Sequence, residues 1–304
     1  MMPRNQRRAN SIQHDVPQFA RASGSGAFVR RIERRSADRP AFMESWRKRL
    51  GVAVPPKDRV DIWIAQPDSL VQSKSALAVL SANDWSFLSE LQRPVGREAS
   101  AASRVLLRLA LSRAANFSIA PAEWRFERTA NNRPLVAEGL PRINFSVTHV
   151  DQFVGVAVSP TLRVGLDIEC LDQDISNRTA LAFCHDEERR SIENLTRTRK
   201  SREFVRLWVL KEAYSKMLGS GHSLDFNRVH FELDPAALSS DDSARRCGLE
   251  AEFETFVLAR NQSLFQGSLA LCDPGDRCVS ADMQIITLLR ADRRPGSSIE
   301  PFIS

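Results

Sequence analysis

Beyond residue 56, hydrophobic and polar positions fall into regular patterns. The stretch RVDIWIA alternates as a β-strand does, and residues 81–91 read as a helix that begins at a Ser81 cap. Residues 98–115 combine strong helix formers with one apolar face. A turn at ANNRPL, two strands in INFSVTHVDQFVGVAVS and a third in RVGLDIE follow. The first half is therefore predicted to pack helices against an antiparallel sheet.

The second half repeats this order loosely. Helices are predicted over residues 176–195 and 200–218, followed by strands at RVHFEL, LEAEFETFVLA, SLFQGSLALC and DMQIITLLR. We predict an α+β fold in which two similar α/β halves, 57–163 and 164–290, pack antiparallel sheets with helices, and a tail covers 291–304.

The basic character of the chain is concentrated at its start. The formal net charge is +6, yet residues 1–56 hold 12 Lys and Arg against 4 Asp and Glu, which leaves 31 against 33 for the remainder. The body is thus slightly acidic. We interpret 1–56 as a basic, mostly disordered leader, with a mitochondrial-type presequence as the alternative.

Other function classes are disfavoured by composition. The leader has no apolar core of a secretory signal, and no stretch is long enough to span a membrane. The five cysteines show neither a CxxC pair nor a Cys/His metal spacing, which fits reduced thiols. We expect a cytoplasmic protein with no membrane partner and no structural zinc.

The stretch VGLDIE reads as a buried strand that carries two carboxylates. Asp167 and Glu169 share one strand face with Gly165, and the glycine is expected to leave open space beside them. Two neighbouring anions raise each other's pKa unless a cation or hydrogen-bond donors compensate. The pattern therefore calls for a positive partner.

A second group of charges lies in the helix FVRLWVLKEAYSKMLGSG. Glu212 and Lys216 follow Trp208 on one stripe at spacing four, and Lys211 lies about 100° round the helix. Taken alone, Glu212 and Lys216 could form an ordinary surface pair on a helix that Gly219 ends.

Four motifs in order, NFSVTH, VGLDIE, FCHDEE and WVLKEAYSKMLGSG, resemble the motif series of the Sfp-type 4'-phosphopantetheinyl transferases. The resemblance covers about residues 59–233 and, more weakly, continues to about 290. It implies a pseudo-dimeric fold and a monomer, because the family places its site between two halves of one chain.

The resemblance also implies an activity of the holo-(acyl-carrier-protein) synthase type. Such enzymes transfer the phosphopantetheine arm of coenzyme A to a serine of an acyl or peptidyl carrier protein and release adenosine 3',5'-bisphosphate. Asp167, Glu169 and Glu212 would hold Mg²⁺ against the pyrophosphate, and oxygen ligands suit this hard ion. Lys211 and Lys216 would neutralise phosphate oxygens, with Lys216 assisting the leaving group.

The base for the serine hydroxyl is less sharply defined. Glu187 matches the glutamate of the family's Phe-Ser-x-x-Glu motif, with Cys184 in place of the serine. It would act directly or through metal-bound water, and the adjacent Glu188 is a rival. Alternatively, Asp186, Glu187 and Glu188 are acidic residues favoured at a helix start by its dipole.

Further residues would bind the nucleotide end of coenzyme A. Thr148 and His149 stand where the family uses Ser-His near the 3'-phosphate, although a lone histidine near a strand end is often structural. Arg133 replaces the lysine of the family's Gly-Lys-Pro turn, in which Asn132 must accept the backbone of glycine. Arg104 is the expected basic helix residue. Arg93 and Arg97 are possible substitutes for the family's other lysines.

Two other functions remain open at this stage. A non-catalytic protein could use the Arg-rich leader to bind nucleic acid, with the acidic cluster incidental; its binding would be salt-sensitive and independent of Mg²⁺ and coenzyme A. We do not expect a nucleic-acid partner. An inactive scaffold would require a broken acidic set, and all three carboxylates are present. The motifs do not specify the carrier protein or its pathway.

Overall fold

The computed structural model describes residues 59–91, 94–173, 175–176, 182–220, 224–241, 250–274, 282–288 and 302–303. The predicted leader, 1–56, lies outside the described residues, as do Arg93 and most of the predicted tail.

Six helices are described, and their ends follow the local sequence. Ser81 caps the third helix: its hydroxyl accepts the amide of Asp84, and the Asp84 carboxylate accepts the amide of Ser81 in return. Gly219 ends the sixth helix at φ +74°, a backbone conformation that glycine adopts without strain. The helices are α1 (Pro67–Val71), α2 (Lys74–Leu77), α3 (Ala82–Glu90), α4 (Pro94–Ala114), α5 (Asp186–Glu193) and α6 (Arg197–Leu218).

Twelve strands are described, and eight of them form two four-stranded sheets. The strands are β1 (Arg59–Ala65), β2 (Phe126–Arg128), β3 (Pro134–Val136), β4 (Asn144–Val150), β5 (Phe153–Ser159), β6 (Arg163–Cys170), β7 (Val229–Leu233), β8 (Ala236–Asp241), β9 (Glu252–Arg260), β10 (Ser263–Cys272), β11 (Asp282–Leu288) and β12 (Phe302–Ile303). The first sheet has the order β11-β1-β5-β4 and the second β12-β9-β10-β6. The remaining strands form the small pairs β2-β3 and β7-β8.

The two sheets and the two long helices form four layers. Helix α4 packs on the outer face of the first sheet, where Leu106 and Val156 share one core cluster. Side chains such as Ile62 and Leu166 fill the space between the two sheets. Helix α6 covers the outer face of the second sheet. Strands β1 and β5 are therefore buried on both faces, which explains their nearly continuous apolar sequence.

The edges of the two sheets meet at β4 and β6, which are the terminal strands of their sheets. A side chain makes the link, because the Ser146 hydroxyl on β4 accepts the backbone amide of Leu166 on β6 at 3.0 Å. This junction brings the first and second halves together at the strand that carries Asp167.

The predicted α+β architecture of two halves with antiparallel sheets and helices is confirmed. One strand differs from the predicted boundary: β11, assigned by sequence to the second half, pairs in parallel with β1 in the first sheet. Of the helix predicted over 176–195, only Asp186–Glu193 is observed as α5, because the backbone is extended at the N-cap His185; residues 177–181 lie outside the description. No described helix has the length and apolar content needed to cross a membrane.

Candidate functional site

Strand β6 and helix α6 lie unusually close together at Gly165. A Cβ at this position would lie 1.9 Å from the carbonyl oxygen of Ala213 and 2.5 Å from the amide of Met217. The glycine therefore admits the helix backbone, and the open space expected from sequence is filled. Because alternate residues of β6 share a face, Asp167 and Glu169 face α6 as well.

The Asp167 carboxylate has the positive partner that the sequence called for. Its Oδ1 accepts the Lys216 ammonium at 2.7 Å and the Thr148 hydroxyl at 3.0 Å. Lys216 also donates to the carbonyl of Leu166 at 3.1 Å. The Asp167 side chain is only 6% exposed, and its Oδ2 is buried without a hydrogen-bond partner. One oxygen is thus saturated, whereas the other has an unused acceptor.

Glu169 adds a second negative charge to this cluster. Its pKa is raised, first by desolvation and then by the charge of Asp167, with a further contribution from Glu212 on α6. Gln173 donates to its Oε2 at 3.1 Å, and this bond and Lys216 partly offset the increase. The charges of Asp167 and Glu212 therefore both act on Glu169, and a cation beside Glu169 would oppose their effect.

This donor set fits Mg²⁺ in its chemistry. Carboxylate oxygens are the protein ligands that Mg²⁺ prefers, and Oδ2 of Asp167 is a buried carboxylate oxygen that lacks a partner. Within the described ranges, no three His, Cys, Asp or Glu side chains converge closely enough to form a metal site by themselves. Lys216 is the cation in contact with Asp167 in this structure.

Lys211 lies elsewhere, although it is on the same helix. Its ammonium is buried and donates to Glu188 at 2.6 Å and to the carbonyls of Phe183, Phe226 and Val229 at 2.7–3.0 Å. Desolvation lowers the pKa of Lys211, while the Glu188 charge opposes that shift. An ammonium has three donors, and all of them are engaged here. The expectation that Lys211 contacts phosphate does not fit this arrangement.

The start of α5 separates the two rival glutamates. Glu188 is buried, caps the amide of His185 at 2.8 Å and accepts the amide of Phe231 at 2.9 Å. His185 is the N-cap of α5 and forms a capping box with Glu188, while its side chain accepts the amide of Glu187. Glu188 therefore has a structural role, which the sequence did not indicate because histidine is not among the residues preferred at an N-cap.

Glu187 points to solvent from the same turn. It forms an exposed ion pair with Arg190 at 3.0 Å. The neighbouring Cys184 is buried, and desolvation raises its thiol pKa to about 11, with Glu188 adding to the effect. Cys184 is therefore neutral at physiological pH. Among the described acidic residues of this turn, Glu187 and Asp186 remain accessible to a substrate.

His149 lies next to the acidic cluster at the end of β4. Its pKa is lowered by desolvation first and then by Lys216, while Asp167 opposes the shift. His149 therefore lies close enough to Lys216 and Asp167 for both charges to affect its pKa. The preceding Thr148 has its hydroxyl on Asp167, so its contact differs from the one that the sequence suggested.

Arg133 connects the first half to the end of α6. Asn132 adopts φ +63°, so it accepts the left-handed backbone that the turn demands. Arg133 then donates to the carbonyl of Met217 at 3.2 Å, and its guanidinium lies where a Cβ on Gly219 would meet it at 2.6 Å. Desolvation and the nearby Arg163 lower the pKa of Arg133. Two positive side chains thus lie close together near the end of α6.

Arg104 belongs to a separate group of charges. Its guanidinium stacks on the Phe87 ring at 4.0 Å and lies 3.5 Å from Asp84. Desolvation lowers its pKa, and the Asp84 charge opposes this. Arg97 donates to the carbonyl of Leu91. The side-chain partners of Asp167 are Thr148 and Lys216, so the structure does not bring Arg97 or Arg104 into contact with Asp167.

Two family models match the chain in adjacent segments. Residues 65–161 match a model described as 4'-phosphopantetheinyl transferase, N-terminal, and residues 163–256 match the 4'-phosphopantetheinyl transferase superfamily. The border between the matched segments falls just before β6, where the two sheet edges meet.

Curated proteins show the same similarity at lower coverage. The human L-aminoadipate-semialdehyde dehydrogenase-phosphopantetheinyl transferase is 29% identical over 127 residues, which span 38% of this chain and 40% of the human protein. The 4'-phosphopantetheinyl transferase HetI of Nostoc sp. is 27% identical over 54% of this chain and 70% of its own length. A phosphopantetheinyl transferase of Thraustochytrium sp. is 29% identical over 46% and 52%, respectively.

Proposed function

We propose that this chain, which belongs to the 4'-phosphopantetheinyl transferase superfamily, transfers the 4'-phosphopantetheine group of coenzyme A to a serine of a carrier protein. The observation that carries the proposal is the 2.7 Å ion pair between Asp167 and Lys216. This contact joins the VGLDIE strand to the WVLKEAYSKMLGSG helix, so the two motifs with the most specific resemblance form one site.

In the proposed site, Asp167, Glu169 and Glu212 would hold Mg²⁺. Bound there, Mg²⁺ would neutralise the negative charge that builds on the pyrophosphate during in-line displacement. The support is Oδ2 of Asp167, which is buried without a hydrogen-bond partner, together with the negative charges of Asp167 and Glu212 beside Glu169. Lys216 donates to Asp167, so it would lie close enough to a Mg²⁺-bound pyrophosphate to contact a phosphate oxygen as well.

The transfer itself is a substitution at phosphorus. The serine oxygen of the carrier bonds to the phosphorus that bears the pantetheine arm, and the bond from that phosphorus to the bridging oxygen breaks. Adenosine 3',5'-bisphosphate leaves, stabilised by Lys216, and the serine proton passes to a base. We assign the base to Glu187, the exposed carboxylate of the α5 turn, since Glu188 is engaged with Lys211.

The nucleotide end of coenzyme A is proposed to bind along β4 and the β2-β3 turn. His149 and Arg133 are the supporting residues, because His149 shares the environment of Lys216 and Arg133 reaches the end of the same helix. Arg104 is a more distant candidate for the adenosine. We further propose an Sfp-type monomer that acts on an acyl or peptidyl carrier protein, because both halves of the site come from one chain.

Intact-mass measurement of a carrier protein tests this function. After incubation with the protein, coenzyme A and Mg²⁺, the carrier should gain the mass of one phosphopantetheine group. Asp167→Asn should abolish the gain, whereas Asp172→Asn should preserve it, because Asp172 is an exposed carboxylate just past the end of β6 that pairs with Arg202. If no acyl or peptidyl carrier is modified by the folded parent protein, or if Asp167→Asn modifies carriers normally, the proposal is wrong.

A further inference from the structure

The Thr148 hydroxyl is buried at the junction between the two sheets. Thr148 is 5% exposed, and its Oγ1 donates to Oδ1 of Asp167 at 3.0 Å. The residue lies on β4 in the first sheet, whereas Asp167 lies on β6 in the second. This hydrogen bond therefore links a side chain of the first half to the central carboxylate of the second half.

The neighbouring strand fixes the orientation of Thr148. Its partner in the β4-β5 register is Gly155, and a Cβ added there would lie 3.0 Å from the Thr148 methyl group. The methyl group thus occupies the space that a side chain on β5 would take. Because threonine is branched at Cβ and stiff at χ1, placing its methyl group beside Gly155 also fixes the direction of its hydroxyl.

The two oxygens of Asp167 consequently differ. Oδ1 accepts both Thr148 and Lys216, whereas Oδ2 is buried and has no hydrogen-bond partner. A carboxylate fixed through one oxygen cannot rotate freely, so its second oxygen keeps a defined position. Fixed ligand geometry matters for Mg²⁺, which demands near-ideal coordination, and residues that orient the ligands commonly tune metal affinity.

We propose that Thr148 is a positioning residue that holds Asp167 through Oδ1 and so presents Oδ2 as the cation ligand. This inference deepens the proposed function and rests on it. It assigns Thr148 a different task from a contact with the 3'-phosphate of coenzyme A, since its single hydroxyl proton is donated to the carboxylate.

Binding calorimetry with two nucleotides separates these tasks without relying on turnover. Coenzyme A and dephospho-coenzyme A, which lacks the 3'-phosphate, are titrated into the parent and into Thr148→Val, each with and without Mg²⁺. Thr148→Val removes the hydrogen bond from the Thr148 hydroxyl to the charged Asp167 carboxylate. The gain in nucleotide affinity that Mg²⁺ brings should therefore fall about tenfold in this variant. The preference for coenzyme A over dephospho-coenzyme A should stay at the parent value.

Two further variants provide controls. Thr148→Ser keeps a hydroxyl and should restore most of the gain from Mg²⁺. Ser146→Ala removes the other buried hydroxyl that links β4 to β6, but Ser146 binds the Leu166 amide and not the carboxylate. Its melting temperature should fall while the gain from Mg²⁺ stays at the parent value.

The outcomes discriminate between the possible roles. A loss of preference for coenzyme A over dephospho-coenzyme A, with the gain from Mg²⁺ intact, would assign Thr148 to the 3'-phosphate and overturn the inference. Equal losses in Thr148→Val and Ser146→Ala would show a purely structural role and overturn it too. A parent protein that binds neither nucleotide overturns the proposed function together with this inference, whereas normal parent binding and an unaffected Thr148→Val overturn only the inference.

Discussion

Replacing Lys211 by methionine should lower the free energy of unfolding and leave the affinity for coenzyme A largely unchanged. Methionine keeps the length and apolar stem of lysine but removes the ammonium. In the structure that ammonium holds Glu188 and three backbone carbonyls, and the two side chains are 2% and 1% exposed. The substitution therefore leaves a buried carboxylate without its cation.

The size of the effect follows from the cost of an uncompensated buried charge. Breaking a buried ion pair by removing one partner costs about 3–5 kcal/mol. Glu188 keeps the amide donors of His185 and Phe231, which places the expected loss near the lower end of that range. At roughly 2–4 °C per kcal/mol for domains of this size, a loss of about 3 kcal/mol should lower the melting temperature by about 6–12 °C.

Thermal and urea denaturation of four proteins form the assay: parent, Lys211→Met, Glu188→Gln and the double variant. Because the two side chains are in contact, their effects should not add, and the double variant should lose less than the sum of the single losses by about 1–3 kcal/mol. Calorimetry at a temperature where Lys211→Met remains folded should give a dissociation constant for coenzyme A within a few-fold of the parent.

The opposite result would refute this reasoning. If Lys211 contacts phosphate, as its place in the sequence motif suggested, Lys211→Met should weaken coenzyme A binding strongly while melting close to the parent temperature. Additive losses in the double variant would also contradict the proposed coupling between Lys211 and Glu188.

Three further predictions concern the site and its supports. Glu169→Gln should stabilise the ligand-free protein at higher pH. The folded-state pKa of Glu169 is raised above its ordinary 4.5, so the parent should lose stability as pH rises through the folded-state pKa, whereas the variant should not. Urea melts below and above that pKa should therefore show a stability gain of the variant only at the higher pH. Coenzyme A binding should take up protons at neutral pH, because His149 has a lowered pKa and a phosphate would raise it; calorimetry in buffers of different ionisation enthalpy should detect this in the parent but not in His149→Gln. Asn132→Val should cost about 1–2 kcal/mol in a urea melt because of φ +63°, whereas Asn132→Gly should change stability by only a few tenths of a kcal/mol.

Local signals in the sequence predicted much of the fold. The Ser81 cap, the left-handed Asn132 and the Gly219 helix end each depend on a few neighbouring residues, and all three are confirmed. The parallel return of β11 to β1 depends instead on contacts between residues more than two hundred positions apart. No local periodicity encodes that pairing, so the sequence analysis assigned β11 to the second half, 164–290.

The candidate site shows the same division. Strand alternation correctly placed Asp167 and Glu169 on one face, because the period of a strand fixes which side chains share a face. The alternation could not show that α6 fills the space beside Gly165, or that Thr148 on a different sheet donates to Asp167. These contacts are set by how the layers pack, which requires the assembled fold.

The contrast between Lys211 and Lys216 shows how far a motif can be carried over. Both belong to the same signature on the same helix, yet one is sealed against Glu188 and the other reaches Asp167. Residues five positions apart on a helix, such as Lys211 and Lys216, are rotated by about 140° around its axis. They can therefore face different layers of the fold. Lys211 therefore holds the start of α5 against α6, whereas Lys216 faces β6. A match to the signature thus supports the fold and the site through different residues, and each residue needs its own test.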